Sequence, residues 1–339
     1  MTDPWTYEKA GVSIDRKSSA IESLVGELKY RRTGDGQNVR MSGLFASLID
    51  YGDEYLTLAT DGVGTKLLVA QALGKWDTVG IDCVAMNVND TICVNAEPIS
   101  FVDYVAIADP DGKVTRDIGI GLNKGAEMSN MDIVGGEIAV LPEIVRMPDL
   151  SGTCLGRVKK NRVITGSACE KGDLIVALKS SGVHSNGLTL ARKVFESAGI
   201  GLKEKTSGIS GTVGENLLEP TEIYVNEVLG ITSRHEVHGL VDITGGGLRN
   251  LLRMRKGLRY VIDDPMGPAP IFNKIQELGN VAEKEMYQTF NMSMGFMIVA
   301  PAGEAEQIVS ENLNAKVVGR VEEGSGVLLE PGNIIYDHY

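Results

Sequence analysis

The segment YLTLATDGVGTKL, residues 55–67, sets the fold class of this chain. Its first six residues alternate between larger apolar and smaller or polar side chains, which is typical of a β-strand. Asp61 ends the alternation, a glycine turn follows, and the run from about Thr65 to Gly74 has the pattern of a helix. The segment therefore predicts a strand, a tight loop and a helix, as expected for a protein of mixed α/β layers.

The same alternation of strands and helices continues through both halves of the chain. The further elements predicted in the first half are helices at residues 79–96 and 114–130, strands at 99–108 and 151–158, and a strand ending in Gly135-Gly136-Glu137. The second half repeats the pattern from the strand LIVALKS to the strand LRYVID. A polar stretch at residues 159–173 separates the halves, so we predict an α/β protein (α+β mixed sheets) with domains at residues 1–165 and 166–339.

Composition restricts the classes of function that fit. The chain has 339 residues, with 33 basic and 45 acidic side chains and a formal net charge of −12, which disfavours binding to nucleic acid or to an anionic membrane. No apolar run approaches the roughly 18 residues that span a bilayer, and the first residues lack the apolar stretch of a signal peptide. Cys83, Cys93, Cys154 and Cys169 form no CxxC pair, so we expect reduced core thiols in a cytoplasmic protein.

The glycine loop after the first predicted strand matches neither common phosphate-binding template. The P-loop pattern GxxxxGK[ST] is absent, because only Gly62 and Gly64 precede Lys66. The dinucleotide pattern GxGxxG fails because Leu67 occupies the position of its third glycine. Two interpretations remain: an ordinary glycine turn, or a site where Asp61 binds Mg²⁺ while the loop amides and Lys66 face nucleotide phosphates.

Acidic and amide side chains recur at positions where apolar residues are expected. Asn87 and Asp90 are three residues apart and share one face of the second predicted helix. Asp103 interrupts an apolar strand, and Glu137 follows two glycines at another strand end. Each has a structural interpretation, as a buried hydrogen bond, a helix cap or a solvated residue. A metal site shared with Asp61 accounts for the carboxylates together, which predicts one or more Mg²⁺ ions.

Two glycine-containing loops in the second half are candidates for anion binding. SSGVHSNG at residues 180–187 and TGGG at residues 244–247 each lead into a predicted helix, so free backbone amides are expected at its positive end. Such loops also serve as ordinary helix caps. His184 is a candidate for orienting substrate or moving protons, although a single loop histidine is more often structural.

As a set, these segments resemble one family. The segments that carry the resemblance run in order from Tyr7 to about Phe296: YxxAGVxID, TDGVGTKL, AMNVNDTICVNAEP, VGGE, SSGVHSNG, EPTEIYV, ITGGG and EMYQTFNMSMGF. Together they closely resemble the phosphoribosylformylglycinamidine cyclo-ligase family, also called aminoimidazole ribonucleotide synthetase. The resemblance covers nearly the whole chain, and several segments are too long for chance agreement.

The resemblance implies an activity and an assembly. The implied reaction is the ATP-dependent ring closure of formylglycinamidine ribonucleotide to aminoimidazole ribonucleotide in purine biosynthesis, with release of ADP and phosphate through an iminophosphate. Mg²⁺ is implied as a cofactor, with a monovalent cation as a further candidate. The implied fold has two α/β domains, is aminoimidazole ribonucleotide synthetase-like, and pairs the sheet of its first domain with that of a second subunit in a homodimer.

Carried over by motif, the resemblance also gives candidate site residues. The candidate catalytic residues are Asp61, Lys66 and His184. The candidate metal ligands are Asp61, Asp90 and Glu137. The candidate nucleotide-binding residues are Gly62, Val63, Gly64, Thr65, Lys66, Asn87, Asp90 and Gly136. The candidate substrate-binding residues are Ser181, Gly182, His184, Ser185, Asn186, Gly245, Gly246 and Gly247.

The chain departs from the family's pattern in three places. Residues 138–143 read IAVLPE, where relatives usually have threonine followed by AEMPG. Asp242 stands where bacterial relatives commonly have histidine, so a catalytic role of a histidine at that position does not transfer. The stretch LKYRR differs in detail, which leaves Lys29, Arg31 and Arg32 as weak candidates for contacts with ATP.

Other ATP-using members of the same superfamily are alternatives, with thiamine-phosphate kinase among them. Selenophosphate synthetase is expected to carry a reactive cysteine or selenocysteine in its N-terminal glycine-rich loop, whereas the first cysteine here is Cys83. The hydrogenase maturation dehydratase uses a C-terminal cysteine, but this chain ends DHY. Formylglycinamidine synthetase normally replaces TDGVGT with a histidine-containing segment. A regulatory nucleotide-binding protein without catalysis is the alternative from another class, and only the departures above support it.

Overall fold

The computed structural model describes residues 4–41 and 43–338. The strands in this part of the chain are β1 (Asn38–Val39), β2 (Ser47–Tyr51), β3 (Glu54–Gly62), β4 (Glu97–Ile107), β5 (Asp132–Val140), β6 (Asp149–Lys159), β7 (Leu174–Lys179), β8 (Gly239–Asp242), β9 (Leu258–Ile262), β10 (Met294–Ala300), β11 (Ala315–Glu323), β12 (Gly326–Leu329) and β13 (Ile334–Tyr336). The helices are α1 (Ile14–Glu27), α2 (Lys66–Leu73), α3 (Val79–Ile92), α4 (Gly112–Ser129), α5 (Leu188–Ser197), α6 (Val213–Leu218), α7 (Val225–Arg234), α8 (Pro270–Gly279), α9 (Glu283–Thr289) and α10 (Ala302–Glu311). Short 3₁₀ helices lie at Lys160–Arg162 and Gly247–Arg253.

The first sheet has six strands in the order β1-β2-β3-β6-β4-β5. Its neighbouring strands are antiparallel, except for the parallel pair β4 and β5, which α4 connects. Helix α3 packs on β3, β6 and β4 and covers one face of the sheet. The opposite face carries Leu58, Val102 and Tyr104, whose side chains are 44%, 40% and 41% exposed. A solvated sheet face is ordinarily polar, so this open face is unusually apolar.

The second sheet has seven strands in the order β13-β12-β9-β11-β7-β10-β8. Its neighbours are antiparallel, except for β9 and β12. Strands β8 and β10 are buried at every position, and β10 lies between β7 and β8. These strands read as continuous apolar runs because both of their faces are covered, partly by α10 and its neighbours.

Helix α3 lies at the centre of the core. All of its residues except Ile81 and Asp90 are buried. Most of its apolar side chains belong to one continuous cluster that also contains the inner residues of β7 and β10. Where α3 crosses α4, a Cβ added at Gly80 would lie 2.1 Å from the backbone nitrogen of Leu122. The two sheets therefore share one core, and α3 requires glycine at its closest contact with α4.

The elements predicted in the first half are confirmed, with differences at their ends. The helix predicted at residues 79–96 ends at Ile92, because Asn95 has a left-handed φ of 61° and β4 begins at Glu97. The strand predicted to end at Glu137 continues to Val140, because its residues pair with β4 as far as Ile107. The short strands β1 and β2 were not predicted.

In the second half, the helix predicted after TGGG is the 3₁₀ helix at Gly247–Arg253. Strands β10–β13 and helices α8–α10 were not predicted, because they lie beyond the strand LRYVID, the last element that the sequence pattern predicted. The first sheet ends at Lys159 and the second begins at Leu174, so the polar stretch between them connects the two sheets. The division into domains at residue 165 stays a prediction.

All four cysteines are buried free thiols, as predicted. Burial raises the pKa of Cys154 to about 11 and that of Cys169 to about 12, so both thiols are protonated near neutral pH. Among the helices of residues 4–41 and 43–338, none has the length and apolar character needed to cross a membrane.

We expect Gly80→Ala to destabilise the protein, because its Cβ would overlap the backbone of α4. The free energy of unfolding should fall by about 2 kcal/mol, the scale of overpacking a rigid contact. Gly119→Ala in α4 is the matched control, since an added Cβ there meets no atom within 4 Å. The control should gain up to about 1 kcal/mol from helix propensity. Equal urea midpoints for the two variants would contradict the close packing of α3 on α4.

Candidate functional site

The end of β3 and the start of α2 form the loop singled out by the sequence. Asp61 is the penultimate residue of β3, and Lys66 is the first residue of α2. The Asp61 side chain is exposed, and its Oδ1 accepts a hydrogen bond of 2.7 Å from the Gly62 amide. Partial desolvation raises the pKa of Asp61, while this hydrogen bond and the charge of Lys17 act in the opposite direction.

The residues between Asp61 and Lys66 have different surroundings. Val63 is fully buried, and its amide donates to the carbonyl oxygen of Leu150 at 2.9 Å. Gly64 is exposed, with a φ of 69° that favours glycine. The hydroxyls of Thr65 and Thr189 lie 2.9 Å apart and join the loop to α5. Val63 and Thr65 therefore hold the loop in place, and Gly64 is its most accessible residue beside Asp61.

Lys66 does not face a solvent-filled site, which corrects the prediction that it meets nucleotide phosphates. Its side chain is 0% exposed, and its Nζ lies 2.7 Å from Oδ1 of the equally buried Asp82. Nζ also donates to the carbonyl oxygen of Glu219. Burial lowers the pKa of Lys66, and the charge of Asp82 opposes that effect. The ammonium group is thus bound within the protein.

The hydrogen bonds of the Asn87 side-chain amide all go to protein backbone groups. This supports the interpretation of Asn87 as a buried hydrogen-bonding residue rather than as a direct contact of the nucleotide. Its Oδ1 accepts from the Asp61 amide at 2.8 Å. Its Nδ2 donates to the Cys83 carbonyl at 2.8 Å and to the Asp61 carbonyl at 3.3 Å. Asn87 therefore fastens the end of β3 to α3, and in doing so it places the Asp61 carboxylate.

Three carboxylates from different elements influence one another: Asp61 on β3, Asp90 on α3 and Asp242 at the end of β8. Desolvation of the half-buried Asp90 raises its pKa to about 8, with a further contribution from the charge of Asp61. Burial, followed by the charges of Asp90 and Asp61, raises the pKa of Asp242 well above its usual range. Arg253 opposes both shifts. These carboxylates form the acidic cluster, defined here as Asp61, Asp90 and Asp242.

Sequence reasoning missed Asp242. The sequence shows it only as a departure from a histidine, although it is a carboxylate at the end of an apolar strand, two residues before Thr244 of TGGG. The structure places it in a fully covered position, 2% exposed, on the strand next to β10. The sequence did contain a signal that Asp242 belongs to the site, because a charged residue at the end of an apolar strand needs a partner when it is buried.

Glu137 lies apart from the acidic cluster. Strands β6 and β4 separate β5 from β3, so Glu137 is three strands from Asp61, or roughly 14 Å at the usual strand spacing. Across the sheet, Asp61, Asp103 and Gly136 lie in register on one face. Glu137 is the next residue along β5 and projects from the other face. Within a single chain Glu137 therefore lies on the other face of the sheet from Asp61, and the metal site shared by Asp61, Asp90 and Glu137 stays a prediction.

Gly136 is explained by its neighbour. A Cβ at this position would lie 2.5 Å from Oδ1 of Asp103 on the adjacent strand. The absence of a side chain at Gly136 therefore leaves room for the Asp103 carboxylate. A contact within the protein explains why glycine is required here. Its predicted role in nucleotide binding has no support from this arrangement.

The acidic cluster fits a hard cation by its chemistry. In the part of the chain that the structure describes, no three His, Cys, Asp or Glu side chains are arranged to hold a metal ion on their own. The carboxylates nevertheless repel one another, and a cation relieves that repulsion. Mg²⁺ takes oxygen ligands and usually combines one or two carboxylates with water and phosphate oxygens. The cluster thus suits Mg²⁺ with the remaining ligands supplied by a nucleotide.

The loop at residues 180–187 connects β7 to α5 and lies against both halves of the protein. The exposed Ser181 donates through Oγ to the Pro220 carbonyl. Gly182 is buried, and its carbonyl oxygen accepts from Asn291 Nδ2 at 2.9 Å. Ser181 and Gly182 are thereby held by the segment before α7 and the segment before β10.

The later residues of this loop contact α3. Ser185 Oγ donates to Asp82 Oδ1 at 3.2 Å, and Asn186 Nδ2 lies 3.9 Å from the sulfur of Met86. Gly187 is the N-cap of α5, with a φ of 77°. The loop is therefore next to α3, which also carries Asp90.

His184 is an uncharged side chain near neutral pH. It is 4% exposed and has a φ of 61°. Burial lowers its pKa to about 3, with a smaller contribution from the charge of Lys66. The Glu222 amide donates toward its Nε2 at 3.5 Å. An imidazole in this state does not donate a proton as an imidazolium at neutral pH, which limits the predicted proton-moving role.

The TGGG loop lies beside the loop at residues 180–187. A Cβ on the exposed Gly245 would come within 3.0 Å of Asn186 Oδ1. Gly246 and Gly247 have φ values of 127° and 53°, and a Cβ on Gly247 would lie 2.0 Å from the Tyr287 carbonyl oxygen. The following helix is a 3₁₀ helix of seven residues, so it offers little of the aligned dipole expected of a longer α-helix.

The crowding of carboxylates makes stability depend on pH. Because the folded pKa of Asp242 is raised, its ionisation destabilises the folded state once pH exceeds the unfolded value of about 3.9. We expect Asp242→Asn to be more stable than wild type at pH 8 without Mg²⁺, on the order of 1 kcal/mol. The difference should shrink as pH falls toward 4, because the unfolded carboxyl is then about half protonated and the two states differ less in bound protons. Thermal unfolding from pH 4.5 to 8 measures it.

The exposed Asp109 provides the control for this comparison. Asp109→Asn removes the same formal charge at the protein surface, so its melting temperature should match that of wild type at each pH. An Asp242→Asn variant whose melting temperature stays parallel to wild type across the range would contradict the charge repulsion described above.

Solved structures share this architecture. Thiamine monophosphate kinase from Aquifex aeolicus aligns with a TM-score of 0.63 and 17% sequence identity, over 95% of this chain and 99% of that chain. The hydrogenase maturation protein HypE in complex with ATP aligns with a TM-score of 0.57 and 15% identity, over 92% of this chain and 91% of that chain. At such identities the likeness shows the fold.

Sequence comparison is more specific. Residues 45–158 match the family model described as AIR synthase related protein, N-terminal domain, and residues 170–330 match the corresponding C-terminal domain. Phosphoribosylformylglycinamidine cyclo-ligase from Methanococcoides burtonii is 48% identical over 97% of this chain and 98% of the relative. The protein of the same name from Methanocaldococcus jannaschii is 46% identical over 93% of this chain and 92% of the relative. This chain therefore belongs to the phosphoribosylformylglycinamidine cyclo-ligase family.

Proposed function

We propose that this protein closes the imidazole ring of aminoimidazole ribonucleotide, using formylglycinamidine ribonucleotide and ATP and releasing ADP and phosphate. The observation that carries the proposal is the 48% identity with a named cyclo-ligase over 97% of the chain. An acidic cluster beside two glycine-containing loops supports it, because an ATP-dependent ligase needs charge compensation for phosphate and a separate place for its second substrate. A cytoplasmic role in purine biosynthesis belongs to the same proposal.

The proposed reaction proceeds in two steps. The formyl amide oxygen attacks the γ-phosphorus of ATP, the bond from that phosphorus to ADP breaks, and the oxygen becomes part of an iminophosphate. A nitrogen of the same substrate then attacks the activated carbon, the carbon–oxygen bond breaks, and phosphate leaves as the ring closes. The reaction needs no external nucleophile and no electron transfer.

The acidic cluster is assigned to the triphosphate side of the site. Asp61 is its exposed member, and Asn87 fixes the backbone from which it projects. Mg²⁺ held by Asp61 and Asp90 would neutralise phosphate oxygens of the nucleotide. Asp242 lies behind them as the buried member of the cluster, and the exposed Gly64 allows close approach of a ligand to the backbone.

The loops at residues 180–187 and 244–247 are assigned to formylglycinamidine ribonucleotide. They lie beside each other and beside α3, with Asn186 next to both Gly245 and Met86. His184 is assigned to shaping this loop, because its imidazole is uncharged and buried. Proton removal during ring closure is therefore assigned to solvent or to released phosphate rather than to His184.

A coupled assay tests the reaction. Purified protein is mixed with formylglycinamidine ribonucleotide, ATP and Mg²⁺, and the aminoimidazole product and ADP are measured together. We expect the two products in equal amounts. Loss of ATP without ring closure would reject the proposal, and ATP-dependent phosphorylation of thiamine phosphate instead would favour the kinase alternative.

We expect Asp61→Asn to reduce kcat by at least about 100-fold, because removing one charge that holds Mg²⁺ against phosphate removes transition-state stabilisation. Its fold should persist, since the Asp61 side chain is exposed. Asp53→Asn, at an exposed turn before β3, is the matched control and should retain wild-type kcat. An unchanged kcat in Asp61→Asn would remove Asp61 from the site.

We also propose a homodimer that pairs the first sheets of two chains. The open face of this sheet carries Leu58, Val102 and Tyr104, each at least 40% exposed, and an apolar face of this kind is typical of an interface. The edge strand β5 adds Val134, which is 64% exposed. The division of the chain at residue 165 is part of this proposal, because the first unit would supply the interface.

Sedimentation tests the assembly. We expect wild type to sediment with the mass of two chains and Val102→Glu with the mass of one, because a buried unpaired charge opposes association. Ile335→Glu is the control, since Ile335 is 47% exposed on β13 of the second sheet. A wild-type protein that sediments as a single chain at micromolar concentration would contradict the dimer.

A further inference from the structure

Lys66 and Asp82 form an ion pair in the interior of the protein. Lys66 Nζ lies 2.7 Å from Asp82 Oδ1, and both side chains are 0% exposed. Lys66 begins α2 and Asp82 lies in the first turn of α3. The same ammonium group donates to the carbonyl oxygen of Glu219, which belongs to the second half of the chain. The pair thus connects two helices of the first half to a segment of the second.

The Asp82 carboxylate makes further contacts with the second half. Its Oδ1 accepts from the Thr221 amide at 2.8 Å, from Thr221 Oγ1 at 2.6 Å and from Ser185 Oγ at 3.2 Å. The hydroxyls of Thr221 and Ser185 are themselves 3.2 Å apart. Ser185 follows His184 in the loop at residues 180–187. One carboxylate oxygen therefore joins this loop, the segment before α7 and the start of α2.

Stability alone does not explain a charge pair at this depth. The desolvation of two buried ions often exceeds their attraction, and well-packed apolar residues are then equally stable or more so. Asp82 Oδ2 is buried and has no hydrogen-bond partner among the residues that the structure describes. An unpaired buried acceptor adds a further cost. A function in fixing one arrangement of the two halves accounts for the pair, since buried ionic groups can specify a single geometry.

We propose that Lys66 and Asp82 are positioning residues for the loop at residues 180–187. Lys66 orients the carboxylate, the carboxylate holds Thr221 and Ser185, and Ser185 fixes the loop backbone beside α3. The proposal rests on the proposed function, because it assigns this loop to formylglycinamidine ribonucleotide. It replaces the expectation that Lys66 contacts phosphate.

Two substitutions at Thr221 test the connection with little change in shape. Thr221→Val removes the hydroxyl donor, whereas Thr221→Ser keeps it. We expect Thr221→Val to raise KM for formylglycinamidine ribonucleotide about tenfold, the scale of one lost hydrogen bond to a charged group, with KM for ATP changed less than about twofold. Thr221→Ser should restore a KM within about threefold of wild type. A purely structural effect would lower kcat through loss of folded enzyme without this division between the two substrates.

Hydrogen exchange without substrates tests the positioning directly. Amides of residues 183–186 should exchange faster in Thr221→Val and in Lys66→Met than in wild type or Thr221→Ser. Lys75→Met is the matched control for the lysine, because Lys75 pairs with Asp77 at the surface, where the side chains are 51% and 43% exposed. The control should match wild type in exchange and in turnover. Should Lys66→Met not fold, the Thr221 pair still decides the result.

The outcomes separate the two proposals. If wild type does not close the ring but Thr221→Val loosens residues 183–186, the proposed function is rejected and the positioning role is supported. If wild type closes the ring while Thr221→Val leaves both exchange and KM unchanged, the positioning role is overturned. A change confined to KM for ATP in Lys66→Met would also overturn it, because Lys66 would then act on the nucleotide.

Discussion

The burial of helix α3 is the constraint on which the rest of the structure depends. A buried polar side chain is costly unless it is hydrogen-bonded, and α3 carries Asp82, Asn87 and Asn89 among its buried residues. Asp82 and Asn87 bind the start of α2 and the end of β3. Asn89 accepts from the Tyr224 amide at 3.1 Å and donates to the Glu222 carbonyl at 2.8 Å. The requirements of one helix therefore position elements from both halves of the chain around it.

Local patterns predicted the elements of the first half from β3 onward, because alternation and apolar spacing reflect the face that each segment buries. They misassigned Lys66, since a lysine after a glycine loop has the same sequence whether it meets phosphate or a buried carboxylate. A signal was present: Lys66 and Asp82 are single opposite charges, each next to an apolar run. That signal indicates that each needs a partner, but the partner depends on how α2 meets α3, which is a tertiary property.

Strand order and register explain the other differences at the site. The sequence places Asp61 and Glu137 at similar positions after apolar segments, yet two strands lie between them and their side chains project from opposite faces. Neither property is encoded within the segments themselves. Asp242 joins Asp61 and Asp90 only because β8 lies at the end of the second sheet where it meets α3. Acidic residues at strand ends were therefore recognisable, whereas the set that acts together required the sheet topology.

The loop at residues 180–187 shows how the constraint on α3 extends to binding. His184, Met292 and Ser293 have φ values of 61°, 47° and 73°, which non-glycine residues adopt only when their surroundings enforce it. Asn291 holds one side of this loop, since its Oδ1 accepts from Ser180 Oγ at 2.8 Å and from the Ser293 amide at 2.9 Å. The carboxylate on α3 holds the other side. Two attachments from distant parts of the chain give the loop one conformation before a ligand arrives, which lowers the entropy lost on binding. Polar residues that would be expected to perform chemistry instead keep the loop in that conformation.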